Sequence, residues 1–513
     1  MAGSLLLGVD IGTYSAKGVL CTPEGEVLAS HVVEHGLSLP RPGWAEQGAD
    51  AVWWNGFVEI CRALVGDRYR PEDIGAVAVS AIGPCLLPVD AQGRPLRPGI
   101  LYGIDTRAMA EIDWLTEHFG EEEIFELGGM ALTSQAVGPK ILWLRRNEPE
   151  IYEKTFKILS ASSYLVYRLT GEYVIDRHTG AHFNPLIDIQ TLEWDRRFAE
   201  PIVEPEKLPD LHWSTDVVGT VGRRAAEETG LAVGTPVTAG TVDAAAEAIS
   251  VGVTEPGDLM IMYGTTMFFI LVTDRPVPDR RVWATGYVLP DTYDIAGGMA
   301  TTGALTRWFR DEFGAAERAA EAAGGANAYA ALADLAATVP AGSDGLVCLP
   351  YFAGERTPIH DPDARGVFAG LTISHTRGHL YRAILEGTAY GVRHNLETLR
   401  QLGVPTNRLV AVGGGANNRL WLQIVSDVTG VPQVIPERTV GASYGDAFLA
   451  GLATKIVPDL GALTRDWVHV AEVLEPRVTE HERYDAYYRV YRSLYEHARD
   501  DLHALAHLGG DLP

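Results

Sequence analysis

Short apolar runs alternating with glycine-bearing turns open the chain. Residues 5–9, 17–21 and 27–33 read as three strands of a β-meander, separated by Gly12-Thr13 and by Pro23-Glu24-Gly25. Apolar positions at helical spacing follow over 49–65, then buried-strand candidates at 76–80 and 86–89. Helical stretches dominate 106–169, which predicts a mostly helical insertion or cap. Residues 236–239 read as a further buried strand ending on Gly240, and 243–251 as a helix rich in Ala and Glu.

Past the turn Thr254-Glu255-Pro256-Gly257 the meander pattern restarts, with strand candidates at 259–262, 267–272 and 292–296. A long helix is predicted over 380–402, a short buried strand over 409–412 and a helix over 418–429. The Ala-rich stretch 315–341 reads as a surface helical excursion. With 513 residues the chain exceeds what one core usually serves, so two domains are expected, 1–252 and 253–513. The halves share little identity; their common order of elements and turns is what suggests a duplication.

Both halves place a Gly-Thr turn between their first two strands. The first is Val9-Asp10-Ile11-Gly12-Thr13-Tyr14-Ser15-Ala16-Lys17, and its weaker echo is Met262-Tyr263-Gly264-Thr265-Thr266. Glycine lets the backbone approach a ligand closely, while threonine adds a hydroxyl to the exposed N–H groups, a good cradle for phosphate oxygens. Two such turns on two similar units would grip one nucleotide tail from both sides, as in a split, duplicated ATPase.

Composition narrows the field. Hydrophobic residues make up 46% and charged residues 21%, ordinary for a soluble globular chain, and the net charge is −25. That balance argues against a nucleic-acid or anionic-membrane partner. It leaves ATP open, because a local nest of N–H groups and one Lys binds phosphate on an acidic protein. Four cysteines without CxxC spacing disfavour a zinc site or a disulfide framework. Met1-Ala2-Gly3-Ser4 lacks a charged leader, 5–7 is too short for a signal core, and no apolar run approaches the roughly 20 residues of a membrane span, so a cytoplasmic location is expected.

Several side chains could carry chemistry. Asp10, at the mouth of the first turn, could hold Mg²⁺ through water, or simply cap the turn. Lys17 could direct its charge at phosphates or be solvated. Asp243 follows Ala239-Gly240-Thr241-Val242 at a strand-to-helix turn, where it could serve as general base for a hydroxyl nucleophile or as a helix N-cap. Gly413-Gly414-Gly415-Ala416-Asn417-Asn418 follows a strand; it could admit a flat ring against backbone, with Asn on an adenine edge, or be a flexible loop. Neither the dinucleotide fingerprint at that turn nor a P-loop ending occurs.

From about residue 5 to about 457 these segments together resemble the FGGY family of carbohydrate kinases. The resemblance rests on Asp10-Ile11-Gly12-Thr13, Gly43-Trp44-Ala45-Glu46-Gln47 with Trp53-Trp54, Ala239-Gly240-Thr241-Val242-Asp243, Tyr263-Gly264-Thr265-Thr266, and Gly303-Ala304-Leu305 before Trp308. It continues through Leu349-Pro350-Tyr351-Phe352-Ala353-Gly354-Glu355-Arg356-Thr357-Pro358, Glu386-Gly387-Thr388-Ala389-Tyr390 and Gly413-Gly414-Gly415-Ala416. It implies an α/β fold of two ribonuclease-H-like domains of the actin/hexokinase ATPase type, with ATP in the cleft between them. By the same resemblance, Asp243 would be the catalytic base and Asp10, with Asp243, would position Mg²⁺. Thr13, Ser15 and Lys17 would meet the β/γ-phosphates, and Gly264 and Thr265 would hold phosphate from the other domain. Gly303, Gly414, Gly415 and Asn418 would line the nucleotide. Asp10 and Asp243 are expected to meet across the interdomain gap and share the metal–triphosphate.

Chain order is most similar to the xylulokinase branch, which usually carries Gln-Met-His-Gly after the strand at 76–80. Ile82-Gly83-Pro84-Cys85 stands there instead, which leaves the acceptor sugar open. Tyr102 and Asp105 occupy the places of a sugar-side wall and a hydroxyl-binding carboxylate; Asp105 could equally cap the helix that follows. The expected activity is ATP-dependent phosphoryl transfer to a hydroxyl of a small ketose or polyol, a pentulose first. A non-catalytic nucleotide-binding regulator, a kinase for another polyol or ketose, and a motor-like ATPase are the competing readings. A homodimer is expected only because such kinases are often dimeric.

Overall fold

The computed structural model describes residues 3–66 and 68–508; Met1 and Ala2 of the start read above, with Asp67 and 509–513, lie outside them. The chain divides into two compact units. The first comprises Met1–Thr254, Val272–Ile295 and Val440–His469, and the second Glu255–Leu271, Ala296–Thr439 and Val470–Pro513. The chain leaves the first unit inside the Thr254-Glu255-Pro256-Gly257 turn, and two later segments return to it. A division by sequence order alone does not anticipate those returns.

The first unit is built on β1 (Leu5–Ile11), β2 (Ser15–Cys21), β3 (Val27–Glu34), β4 (Ile74–Ala81), β5 (Val217–Thr220), β6 (Pro236–Thr238) and the short β7 (Thr241–Val242). Their order is β5-β6-β4-β1-β2-β3, with β7 paired to β4 beyond the end of β6. The meander β1-β2-β3 is antiparallel; β4 runs parallel to β1, β6 parallel to β4, and β5 antiparallel to β6.

Helices cover both faces of this sheet, which is why β1 reads as a nearly continuous apolar run. On one face the helix Asn55–Leu64 crosses so close to β2 that a Cβ on Gly18 would lie 2.2 Å from Ile60. On the other, the helix Ala442–Ala453 rests directly on β1: a Cβ on Gly8 would lie 1.9 Å from the Ser443 carbonyl oxygen. Gly445 makes the same helix meet Asp243–Ser250, since its Cβ would lie 2.0 Å from the Ala246 carbonyl oxygen. The core between the meander and its helices contains Val9, Ile11, Val79, Trp53, Phe57 and Ile60.

The helical stretch expected over 106–169 forms as Met109–Phe119, Glu121–Gly128, Val137–Asn147 and Pro149–Lys154 around its own apolar cluster, which includes Leu115, Ile141, Leu144 and Phe183. The last helix of the stretch, Ala161–Thr170, differs: Tyr164, Leu165 and Val166 join the sheet core. That helix therefore belongs with the sheet, and the insertion's cluster resumes beyond it with Ile175, Phe183 and Ile202.

The second unit repeats the plan. Its strands are β8 (Asp258–Tyr263), β9 (Met267–Thr273), β10 (Tyr293–Met299), β11 (Arg408–Val412), β12 (Gln433–Pro436) and β13 (Val470–Leu474), ordered β10-β9-β8-β11-β12-β13. β8 is antiparallel to β9 and parallel to β11, β11 is parallel to β12, and β12 is antiparallel to β13. Over five strands, β9-β8-β11-β12-β13 repeat the order and senses of β2-β1-β4-β6-β5, so the duplication is carried by topology where sequence identity is slight. β12, β13 and the helices Ala442–Ala453 and Val478–Leu508 had no sequence-based expectation; β13 is largely exposed and therefore lacks an apolar run. Among the described residues no helix is long and apolar enough to cross a membrane.

Candidate active site

The carboxyl ends of three neighbouring strands build a polar cluster in the first unit. Asp10 on β1 is in register with Ser80 on β4, and Ser80 is in register with Thr241 on β7. Two residues beyond Thr241 the backbone enters the helix Asp243–Ser250, so Asp10 and Asp243 project from strands on either side of Ser80. Both acids belong to the first unit. The expectation that they meet across an interdomain gap is corrected: one sheet carries them both. The Asp243 carboxylate accepts from the amide of Ala244, at 2.7 Å, and Val242 is the N-cap residue. Its side chain thus does not reach two or three residues ahead as a capping Asp does.

Two further carboxyl groups and one amine complete the cluster. Glu247 lies one turn after Asp243 on the same helix and accepts from the Ala442 amide. Asp446, wholly buried, lies 2.7 Å from the Ser80 hydroxyl, and the same hydroxyl lies 3.1 Å from Asp10 Oδ1. Lys17 donates to the Val440 carbonyl and its charge acts on Asp10 and Glu247.

Burial of so many acids has a predictable electrostatic result. Burial, then the charge of Asp243, holds Asp10 well above the usual carboxylate range, against the hydrogen bond from Ser80. Burial pushes Asp243 up to about 6 and Glu247 up to about 7. Asp446 is raised by burial and by Asp10. Asp10, Asp243 and Glu247 nonetheless keep a partly exposed edge, so a ligand can reach them.

The first Gly-Thr turn closes through the Gly12 amide, which donates to the Ser15 carbonyl at 2.9 Å. Gln47 donates to the Thr13 carbonyl at 2.9 Å and is itself held by the Trp53 indole at 2.8 Å. The Thr13 hydroxyl lies 3.4 Å from the Tyr102 hydroxyl, so the turn and Tyr102 adjoin.

Asp105 is placed differently from expectation. It is buried, accepts from the Ala45 amide at 2.7 Å and from the Arg107 amide at 3.1 Å, and is gripped by the Arg107 guanidinium at 2.7–3.0 Å. Arg107 also pairs with Glu46 at 2.8 Å and lies over the Trp44 ring. With both oxygens occupied, Asp105 and Arg107 together hold Ala45 and Glu46 in place; the carboxylate is not presented to a sugar hydroxyl.

In the second unit the Gly264–Thr265 turn meets the start of the helix Gly303–Phe313. The Gly303 amide donates to the Gly264 carbonyl at 3.1 Å and the Ala304 amide to the Thr265 carbonyl at 2.8 Å. A Cβ on Gly303 would lie 2.2 Å from the Gly264 oxygen. The glycine run sits at the adjacent strand end, because Met262 on β8 pairs with Val412 on β11. Gly413 has φ +89° and Gly415 packs against Tyr263, whereas Gly414 faces open space. Asn418 caps the helix Arg419–Thr429 by accepting from the Trp421 amide at 3.1 Å. Gly264, Thr265, Gly303, Gly414 and Gly415 are thus brought together within this unit.

Among the described residues no group of three or more His, Cys, Asp and Glu side chains is arranged to chelate a metal. Mg²⁺ does not need one, since it keeps several waters and takes one or two carboxylates besides phosphate oxygens. Asp10 and Asp243, crowded and partly exposed with raised proton affinity, suit that mode of binding.

Comparison with known proteins gives this arrangement its context. The N-terminal domain of the FGGY family of carbohydrate kinases matches residues 5–250, and its C-terminal domain matches 259–454. The chain belongs to the FGGY family. It is accordingly a carbohydrate kinase, a phosphotransferase acting on an alcohol group. It is 30% identical to the xylulose kinase of Escherichia coli (strain K12) over 88% of this chain and 90% of that protein. It is 29% identical to the gluconokinase of Bacillus subtilis (strain 168) over 90% of each. The crystal structure of xylulose kinase from Rhodospirillum rubrum superposes with a TM-score of 0.90 at 32% identity, covering 97% of this chain and all of that one. The two units are thus the ribonuclease-H-like pair of an FGGY kinase.

Sequence reasoning missed Ser80, Glu247 and Asp446. Glu247 had a usable signal, four residues after Asp243 on a predicted helix and so on the same face. Ser80 ended a predicted strand without a motif. Asp446 lies 366 residues from the serine it contacts, and nothing local announces it.

Proposed function

We propose that this FGGY kinase transfers the γ-phosphate of ATP to a primary hydroxyl of a pentulose, with Asp243 as the base. The observation that carries the reading is the pairing of Asp10 and Asp243 at strand ends flanking Ser80, two partly exposed acids whose charges act on each other. Asp243, with its proton affinity raised to about 6, is mostly ionised at neutral pH yet basic enough to take a hydroxyl proton as the oxygen attacks. Tyr102, beside Thr13, walls the acceptor.

In this reading residues 1–252 bind the sugar and supply the base, and 253–513 bind the nucleotide. Thr13, Ser15 and Lys17 meet phosphate oxygens, as do Gly264 and Thr265. Gly303, Gly414, Gly415 and Asn418 line the nucleotide. Mg²⁺, held by Asp10 and Asp243 with water, supplies neutralisation of phosphate charge. Backbone N–H groups of the turns add fixed dipoles, and the surrounding helices keep the cluster poor in water. The enzyme is read as cytoplasmic, without nucleic-acid or membrane partners, and as a homodimer.

Similarity to xylulose kinases favours a pentulose, while Ile82-Gly83-Pro84-Cys85 and the comparable likeness to a gluconokinase keep other acceptors in the test. ADP release is measured with D-xylulose, D-ribulose, gluconate, glycerol and hexuloses. The reading requires kcat/KM for a pentulose to exceed that for every other acceptor. A tenfold preference for gluconate or glycerol overturns the substrate assignment, and acceptor-independent ADP release overturns the kinase mechanism.

A further inference from the structure

One hydroxyl serves two carboxyl groups in this fold. Ser80 Oγ lies 2.7 Å from Asp446 Oδ2 and 3.1 Å from Asp10 Oδ1. It has a single proton, so it donates to one acid and keeps its bond to the other only by accepting from that acid's protonated carboxyl; each contact therefore depends on the other. Ser80 and Asp446 are wholly buried, which leaves no bulk water to substitute for either partner.

Asp446 is also held rigidly. Its helix lies against β1 and against Asp243–Ser250 with bare glycines at both contacts, Gly8 and Gly445, so no flexible side chain separates the backbones. A carboxyl group in such a place is costly. Its second oxygen, Oδ1, is buried without a hydrogen-bond partner. An apolar side chain would pack there at lower cost, so the acid is not explained by stability.

The result of the arrangement is visible at Asp10. With Oδ1 fixed by Ser80, Oδ2 is turned toward the Gly-Thr turn, 3.9 Å from where a Gly12 Cβ would stand. We propose that Asp446 is a positioning residue for Asp10, acting through the Ser80 hydroxyl to aim Asp10 Oδ2 at the turn. This rests on the reading of Asp10 as the residue that, with Asp243, holds hydrated Mg²⁺. Partners of this kind, one step removed from an ion, typically change metal affinity or activity by about 10–100-fold when removed.

The test compares Ser80→Ala, Asp446→Leu, Asp446→Asn and Asp10→Asn. Two readouts are taken on the full chain: the Mg²⁺ concentration giving half-maximal rate, and ADP affinity by calorimetry with and without Mg²⁺. Thermal melts check the fold, and Ser80→Ala, a small truncation, decides the matter if Asp446→Leu does not fold. The expected result is a rise of about tenfold or more in half-saturating Mg²⁺ for Ser80→Ala and Asp446→Leu. The Mg²⁺-dependent gain in ADP affinity should shrink in the same variants, while the sugar KM stays within about twofold and metal-free ADP affinity is unchanged. Asp446→Asn, which can still bond Ser80, should recover most of the loss. If Asp10→Asn shifts the Mg²⁺ dependence but Ser80→Ala leaves it within twofold, the role of Asp446 is overturned alone. If Asp10→Asn itself shifts nothing, the assignment of Asp10 falls and this inference falls with it.

Discussion

Glu247 stands one helical turn beyond Asp243 on the same face, and the charge of Asp243 raises the cost of ionising Glu247. Burial is the larger cause and takes Glu247 to about 7. In the unfolded chain it titrates near its ordinary value of 4.5. The folded value is the higher one, so this group's contribution to stability is full below about 4.5 and is lost as pH rises through about 7. Glu247→Gln keeps an oxygen for the Ala442 amide and removes the charge. It should therefore melt above the wild type at pH 8, by on the order of 1–3 kcal/mol, and the difference should shrink several-fold by pH 5. Melting curves of the two proteins without ligand, taken at both pH values, decide the point; a difference that is undiminished or larger at pH 5 contradicts it.

Asp243→Asn preserves size and the bond from the Ala244 amide while removing the basic site. Turnover should fall by roughly 10²–10⁴, the usual range for a general base. ADP affinity measured without sugar should remain within a few-fold of wild type. Near-normal turnover in this variant removes Asp243 from the role of base.

The pH–rate profile should carry the same group. Only ionised Asp243 accepts a proton, so kcat/KM should decline on the acid side with a limb near pH 6. The sign is that of a required base: activity is retained above that value and lost below it. A profile flat from pH 8 to pH 5 under sugar-limiting conditions counts against a titrating base in the free enzyme.

Local chemistry was legible and long-range chemistry was not. The first β-hairpin, with Asp10 before Gly12-Thr13, announces itself because all its determinants lie within a dozen residues. The sheet pairing that sets Ser80 between Asp10 and Thr241 joins segments from three parts of the chain, and no periodicity encodes that register. The sugar-side reading of Asp105 fails for the opposite reason. Its partner Arg107 is only two residues away, but the burial that locks the pair depends on Trp44 and Glu46 folding over it. The duplication was visible as repeated turns, yet it became definite only when strand order and sense could be matched sheet to sheet.

Gly303 offers a test confined to the second unit. A methyl group there would collide with the Gly264 carbonyl at 2.2 Å, so the Gly-Thr turn or the helix start must move. Gly303→Ala should cost about 1–3 kcal/mol of stability, the usual range for forcing extra bulk into tight packing. KM for ATP should rise by about tenfold while KM for the sugar changes little. An unaltered ATP dependence would separate that turn from nucleotide binding.

The bare backbone at Gly8 carries a consequence for how the chain comes into being. Its neighbour across the packing is Ser443, in a helix that a ribosome makes only when synthesis is nearly finished. Until then one face of the nascent first sheet has no cover, and its apolar strands stand exposed while the whole second half is translated. Closing so distant a contact loses chain entropy before packing gives any return. Newly made chains of this kinase therefore pass through a long vulnerable interval, and fragments that stop after the first family domain retain that exposed face permanently.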